Sequence, residues 1–441
     1  MKKLLLLLLA VILAVPAMQG EAASRGRITS ENVTLPRHNP AVLYAPANGK
    51  YKKVAFLTMH SNENYLSFAP GPELAKRGYL AMNANVSQSD SSLKEKMLDV
   101  AGALAYLRSL PGVEKVVLVG HSGGATLMSA YQAIAENGID FLNDNPKRLV
   151  TLTDKVQELS PADGIVFIDA NWGNGPMTLF STDAAVVSEA DGRHIDASLD
   201  SFSEENGYDK AGAHYSEAFR KKYLAAQRKR YMSIVSQAES RLEAIEQGEG
   251  AYSDDEPLVI PGSLQRAFNN KLYPFDTSLM AHTEQAYPIL HADGSTTVEI
   301  VHSVRLPLNA ENTSGTFAST TRTTVRNFLS NAAIAVGSDY DFTATGATGI
   351  YYRSNITTPI GNAEGIHVPL LAMGMTGNWE YLAAESIYKH AASADKSIAF
   401  VEGATHMLTP NEKAEKALGV DFGDTVKNLF DYVDSWTKAH I

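Results

Sequence analysis

Hydrophobic and polar positions fall into a repeating pattern between residues 52 and 170. The segment KKVAFLTMH (52–60) is an apolar run bounded by polar residues, the pattern of a strand buried on both faces. APGPELAKRG (69–78) carries proline near its start and glycine at its end, which predicts a helix. YLAMNANV (79–86) predicts a second buried strand. SSLKEKMLDVAGALAYLRSL (91–110) has apolar residues at helical spacing behind a serine cap. KVVLVG (115–120) predicts a third strand, GATLMSAYQAIAEN (124–137) a helix ending at Gly138, and GIVFIDA (164–170) a fourth strand. Strands separated by helix-length segments imply βαβ units and a mainly parallel sheet. Right-handed crossovers then put helices on both of its faces.

The rhythm stops near Asn171 and returns at HVPLLAMG (367–374). A helix near 380–392, a strand KSIAFVEG (396–403) and a final helix near 424–438 follow. Between the two periodic regions the clearest element is a long polar helix over 216–247. Its Arg220, Lys221, Lys222, Arg228, Lys229 and Arg230 read as a solvated face with i,i+4 pairs. Residues 24–50 are polar with scattered proline and read as loops and short edge strands. The pattern therefore predicts an α/β core made of two chain segments, 23–170 and 365–441. The segment 171–364 is expected to be an inserted cap or lid over the carboxyl edge of the sheet.

Composition narrows the classes. The chain has 441 residues, 44% of them hydrophobic and 20% charged, an ordinary globular balance. A net charge of −11 with no basic stripe makes nucleic acid an unexpected partner. The start, MKKLLLLLLAVILAVPAMQGEAAS, combines two lysines, a short apolar run and small residues at Gly20 and Ala22. It predicts a signal peptide over 1–22 and export to the periplasm or beyond, with no membrane span after cleavage. Cysteine is absent, which removes disulfides, thiol chemistry and cysteine metal sites. No metal or cofactor motif is visible.

The chemistry concentrates at Gly120-His121-Ser122-Gly123-Gly124, directly after a predicted strand and directly before a predicted helix. A sharp strand-to-helix turn lifts a serine above the carboxyl edge of a parallel sheet, at a helix N-terminus that favours developing negative charge. Glycines at 120 and 124 would let strand and helix pack closely around the turn. Ser122 is the expected nucleophile. A serine hydroxyl needs a base. His406, in FVEGATHMLTP after the last predicted strand, emerges at the same edge. His121 should point elsewhere.

With GHSGG after one strand, GATH after the last, and this layout between them, the chain resembles the α/β-hydrolase superfamily over about 52–170 and 367–441. The resemblance implies an α/β-hydrolase fold: a mostly parallel central sheet, helices on both faces and a cap insertion. It implies Ser122 as nucleophile and His406 as base. Its usual slot for the acid, just after the penultimate core strand, holds Gly377 or Asn378 instead. Glu380 is the nearest carboxylate and the expected acid, with Asp169 and Glu385 as alternatives. The oxyanion hole is expected from the amide of Gly123 and from the loop after the first buried strand, at Ser61 or Asn62, with His60 shaping that loop. Trp172, Phe180, Tyr273, Phe275, Tyr351 and Tyr352 are candidates for the cap's pocket wall, or for its own core. The expected activity is hydrolysis of a small-molecule carboxylic ester through an acyl-enzyme, without cofactor or metal. An amidase or acyltransferase using the same residues, or a binding protein on a hydrolase scaffold, are the alternatives.

Overall fold

The computed structural model describes residues 26–89, 91–156, 158–264, 270–308 and 319–441. The expected signal peptide, 1–22, lies outside the described residues. The strands are β1 (Ile28–Thr34), β2 (Pro40–Pro46), β3 (Val54–Met59), β4 (Leu80–Ala84), β5 (Lys115–Ser122), β6 (Gly164–Ala170), β7 (Pro257–Ile260), β8 (His282–Leu290), β9 (Thr296–His302), β10 (Thr321–Thr324), β11 (Ala335–Thr343), β12 (Gly346–Tyr351), β13 (Leu370–Met375) and β14 (Lys396–Val401). The helices are α1 (Pro70–Lys76), α2 (Leu93–Ser109), α3 (Gly123–Asn137), α4 (Asp140–Asn143), α5 (Asn174–Ser181), α6 (Glu217–Glu246), α7 (Val325–Asn331), α8 (Pro359–Ala363), α9 (Ala383–His390), α10 (Glu412–Leu418) and α11 (Thr425–His440).

Ten strands form one sheet in the order β1-β2-β4-β3-β5-β6-β13-β14-β8-β9. From β4 to β8 every neighbour pair is parallel. β2 runs antiparallel to both β1 and β4, and β9 antiparallel to β8. The central strands are continuous apolar runs because both sheet faces are covered. Val116 and Leu118 of β5 and Ile165 and Phe167 of β6 join one core, with α2, α3 and α9. Val117, Val119, Val166 and Ile168 join the other. There α11 buries Leu429, Phe430, Val433 and Trp436, a helical-period stripe. Ser92 caps α2 by accepting from the Glu95 N–H at 3.4 Å.

The insertion departs from the expected single cap. Within 171–364, β8 and β9 extend the core sheet. β8 joins β14 through only two residue pairs, Phe400 with Ile289 and Val401 with Leu290. β9 is an almost wholly exposed edge. The remainder forms α5, the long α6, the β7–β10 pair, the β11–β12 hairpin and α7. Of the aromatic candidates for a pocket wall or for core, Phe180 packs edge-to-face on Trp172, Tyr273 and Phe342, and Tyr273 on Phe342. Phe275 packs on Phe202 and Tyr208. These rings belong to the same core that covers one face of the sheet. Along α6, Lys221 pairs with Glu217 at i,i+4 on the expected solvated face, but Arg230 does not lie on such a face: its side chain is largely buried and bonds Glu189 and the Asp183 and Pro261 carbonyls.

Candidate active site

The turn from β5 into α3 holds Ser122 at φ 54° and ψ −131°, a conformation L-residues rarely adopt and one that costs about 1–3 kcal/mol. Neighbouring glycines make the turn possible. A Cβ at Gly120 would lie 2.7 Å from Ala125 Cα, and one at Gly124 would lie 2.4 Å from the Met59 carbonyl oxygen. Strand and helix therefore pack as closely as the sequence suggests. On the adjacent strand end, Asp169 is strained too, at φ 44°. The register between β5 and β6 shifts between His121 and Ser122, where the chain leaves the sheet.

His406 lies in the loop after β14, where Leu408 has φ 72°. Its Nδ1 is 2.7 Å from Asp169 Oδ2. The Asp169 carboxylate is buried, 1% exposed, and has two further donors. The Met375 N–H donates to Oδ1 at 3.1 Å and the Asn378 amide to Oδ2 at 2.7 Å. With the Nδ1 proton directed at Asp169, the 3.2 Å approach of Asn378 Nδ2 to Nδ1 is a contact between two donors. Nε2 is then the unprotonated nitrogen of the neutral ring. Burial pulls the His406 pKa down, but the Asp169 hydrogen bond and charge, with Glu380 behind them, outweigh it and leave it above its ordinary value.

Glu380, the acid expected from the sequence, is not hydrogen-bonded to His406. It is 4% exposed, its Oε1 has no partner, and burial pushes its pKa up to about 7. Glu385 lies elsewhere, both its oxygens accepting from the Glu284 N–H at 3.1 Å. The carboxylate beside the imidazole is Asp169, from β6. The slot after β13 holds Asn378, which reaches back to hold that carboxylate. An amide in the usual acid slot, with an aspartate ending the neighbouring strand, was the signal available in the sequence.

Two other histidines are fixed as neutral tautomers. His121 Nε2 lies 2.6 Å from the backbone carbonyl of His406, which can only accept, so Nε2 carries the proton. Its Nδ1 then accepts from the Tyr65 hydroxyl, also at 2.6 Å. Burial, chiefly, holds the His121 pKa well below its ordinary value. Tyr65, His121 and His406 thus tie the loops after β3 and β14 to the end of β5, and sequence reasoning found neither Tyr65 nor this use of His121. His60 Nδ1 accepts from the N–H groups of Asn62 and Glu63 at 3.1 and 2.9 Å, so Nε2 carries its proton. Burial, with the charges of His406 and Lys96, pushes the His60 pKa down to about 3. This ring shapes the loop after β3, as expected. The same loop lies against Gly123, where a Cβ would be 2.9 Å from Ser61 Oγ and 3.0 Å from the His60 ring.

Ser61, Ser122, Gly123, Glu380 and His406 line one cavity of about 590 Å³. That volume suits a small organic ligand. Among the described residues no hydrogen bond joins the Ser122 hydroxyl to the His406 ring, a contact that often closes only around substrate. Among the described residues no group of three or more His, Asp or Glu is placed to hold a metal ion, and no helix is long and apolar enough to cross a membrane.

No family model matches the chain, and no curated protein matches it in sequence. Solved structures do resemble it over most of its length. A hypothetical protein from Pseudomonas aeruginosa is 13% identical, with 94% of each chain covered and a TM-score of 0.39. Est1E from Butyrivibrio proteoclasticus is 9% identical, with 93% of this chain and 98% of that one covered and a TM-score of 0.39. Carboxyl esterase 2 from Tuber melanosporum is 10% identical, covering 94% and 88% at a TM-score of 0.39. The parallel sheet, the helices on both faces and the strained serine turn between β5 and α3 are the architecture of the α/β-hydrolase superfamily, and the chain has that fold.

Proposed function

We propose that the protein is an exported serine hydrolase that cleaves carboxylic esters through an acyl-enzyme on Ser122. One observation carries the reading: a buried Asp169 holds the His406 ring at 2.7 Å, and that ring shares a cavity with a serine on a strained turn at a helix N-terminus. In this mechanism His406 Nε2 removes the Ser122 proton as Oγ attacks the acyl carbon. Asp169 keeps Nδ1 protonated and stabilises the imidazolium. The N–H groups of Gly123 and Ser61 receive the charge on the carbonyl oxygen, in the field of the α3 N-terminus. As the C–O bond breaks, His406 returns its proton to the leaving alkoxide. Water, deprotonated by the same nitrogen, then releases the acid. The reading needs no metal or cofactor. Export rests on the sequence of residues 1–22 alone.

A fluorophosphonate probe and a short p-nitrophenyl ester test the chemistry. The protein should be labelled at Ser122 and turn the ester over. Ser122→Ala should remove the label and lower turnover by at least about 10,000-fold. Labelling that persists in this variant would mean another nucleophile. Export is tested by expression of the full chain in a bacterial host, where the mature protein should begin at Ala23 outside the cytoplasm.

A further inference from the structure

The cavity that holds Ser122 and His406 has an unusual wall. Among its described lining residues are six asparagines, Asn62, Asn171, Asn174, Asn327, Asn331 and Asn378, and the apolar side chains are confined to Leu93, Met177 and Trp379. The asparagines run from the buried floor, at Asn171 and Asn378, to the exposed mouth, at Asn62 and Asn327. They come from four regions of the chain, so no single helix face explains them. Asn171 is 5% exposed and spends its carbonyl on the Gly173 N–H at 3.0 Å, which leaves its two amide N–H donors for the cavity. On the opposite side, α7 is docked by Asn331, whose Oδ1 accepts from the Leu93 N–H at 3.2 Å and whose amide donates to Asn327 at 2.5 Å. Two further wall atoms are buried without a hydrogen-bond partner, the indole N–H of Trp379 and Oε1 of Glu380.

Several of these amides are engaged within the protein: Asn378 donates to Asp169, Asn327 to Thr323, and Asn331 is bonded at both ends. An alkyl chain would still strip water from the donors left over, the Asn171 N–H groups and the second N–H of Asn327, and offer them nothing. A ring bearing several hydroxyls would answer them, because each hydroxyl donates and accepts, as each amide does. Net charge is not the selecting feature. The lysine in the wall, Lys96, has its ammonium held by the Ser89 carbonyl at 2.7 Å, and Glu63 stands in the same lining. Trp379 supplies an apolar surface for the carbon face of such a ring.

Resting on the hydrolase reading above, we infer that the cavity takes esters of neutral polyhydroxylated rings, sugar-like alcohols or acids, in preference to alkyl esters of the same size. The test uses two substrates with the same acyl group and a primary alkoxide leaving group, 6-O-acetylglucose and hexyl acetate, on the full chain. The sugar ester should have a kcat/KM at least about 100-fold higher. Replacing both Asn327 and Asn331 by Leu, with folding checked by circular dichroism, should lower that ratio at least about tenfold. A ratio near one, or favouring hexyl acetate, in protein whose Ser122 is labelled by fluorophosphonate would overturn the inference and leave the hydrolase reading standing. If Ser122 is not labelled, binding decides instead. Saturable quenching of Ser122→Ala fluorescence by 6-O-acetylglucose, lost in Ser122→Ala/Trp379→Phe, would keep the subsite while the chemistry falls. Absence of quenching would sink the subsite.

Discussion

On the floor of the cavity each chemical group is held by buried partners. Asp169 is fixed by Met375, Asn378 and His406, and His406 is fixed again through His121 and Tyr65. Ser122 and Asp169 sit in strained backbone at adjacent strand ends, which only a packed surrounding can hold. The wall contributed by the insertion is built differently. Asn327 and Asn331 stand on a short helix that buries Val325, Phe328 and Leu329, and their side chains are bonded to each other, to Thr323 and to the Leu93 N–H. The difference separates two tasks. On the hydrolase reading proposed above, the floor holds the reacting atoms and the wall meets the substrate. Changes to the floor should therefore act on kcat, and changes to the wall on the choice of substrate.

The largest effect that sharpens this contrast, after removal of Ser122 itself, is expected at Asp169. Asp169→Asn keeps the shape but puts a donor opposite Nδ1, so the ring turns to the wrong tautomer. We expect kcat to fall about 1,000- to 10,000-fold with little change in KM. The free-enzyme pH profile should also change. In the native protein the acid limb of kcat/KM should have its midpoint above the ordinary histidine value of 6.5, because Asp169 favours the protonated ring. In Asp169→Asn that midpoint should drop. A variant with near-native kcat would show that floor and wall are not divided in this way.

Tyr65→Phe comes next. It removes the hydroxyl that His121 Nδ1 accepts from and leaves a buried nitrogen unpaired, at a cost of about 1–3 kcal/mol in stability. The loosened tether should lower kcat about tenfold, since a small misplacement of a catalytic group costs on that scale or more. The acid limb should stay where it is, because Tyr65 does not touch the Asp169–His406 pair. A shifted limb would mean that Tyr65 acts on the charge of His406 and not on its position.

The same division sets what the sequence could reveal. The floor's strands are buried on both faces, so they are legible as apolar runs, and the segment 164–170 coincides with β6. Ser122 and His406 were legible because strand, glycine and helix signals lie beside them in the chain. The acid was not. Asp169 reaches His406 past the end of β13, an arrangement set by the sheet order β6-β13-β14 and invisible to local pattern. β8 and β9 were missed for a related reason. Their place in the sheet depends on two pairs with β14, far along the chain, and β9 buries little, so its threonines and Glu299 give no core signal. The wall's asparagines are scattered over 62–378, and only folding gathers them.

Glu380 is the residue the sequence favoured, and its replacement by Gln should give the smallest catalytic effect of the three. It lies beside His406 without a hydrogen bond to it, so kcat should fall less than about tenfold. Its ionised form favours the His406 cation, so the acid limb should move slightly down in Glu380→Gln. Stability should respond more. Burial raises the Glu380 pKa from 4.5 to about 7, so between those values the unfolded chain releases a proton that the folded chain keeps. Stability is then lost as pH rises through that window, by on the order of 3 kcal/mol at its upper end. Glu380→Gln is spared this loss, so its Tm relative to the native protein should be higher at about pH 8 than at about pH 5, by a few degrees. A Tm difference independent of pH would mean that the carboxyl titrates normally. A kcat loss matching that of Asp169→Asn would return the acid's part to Glu380.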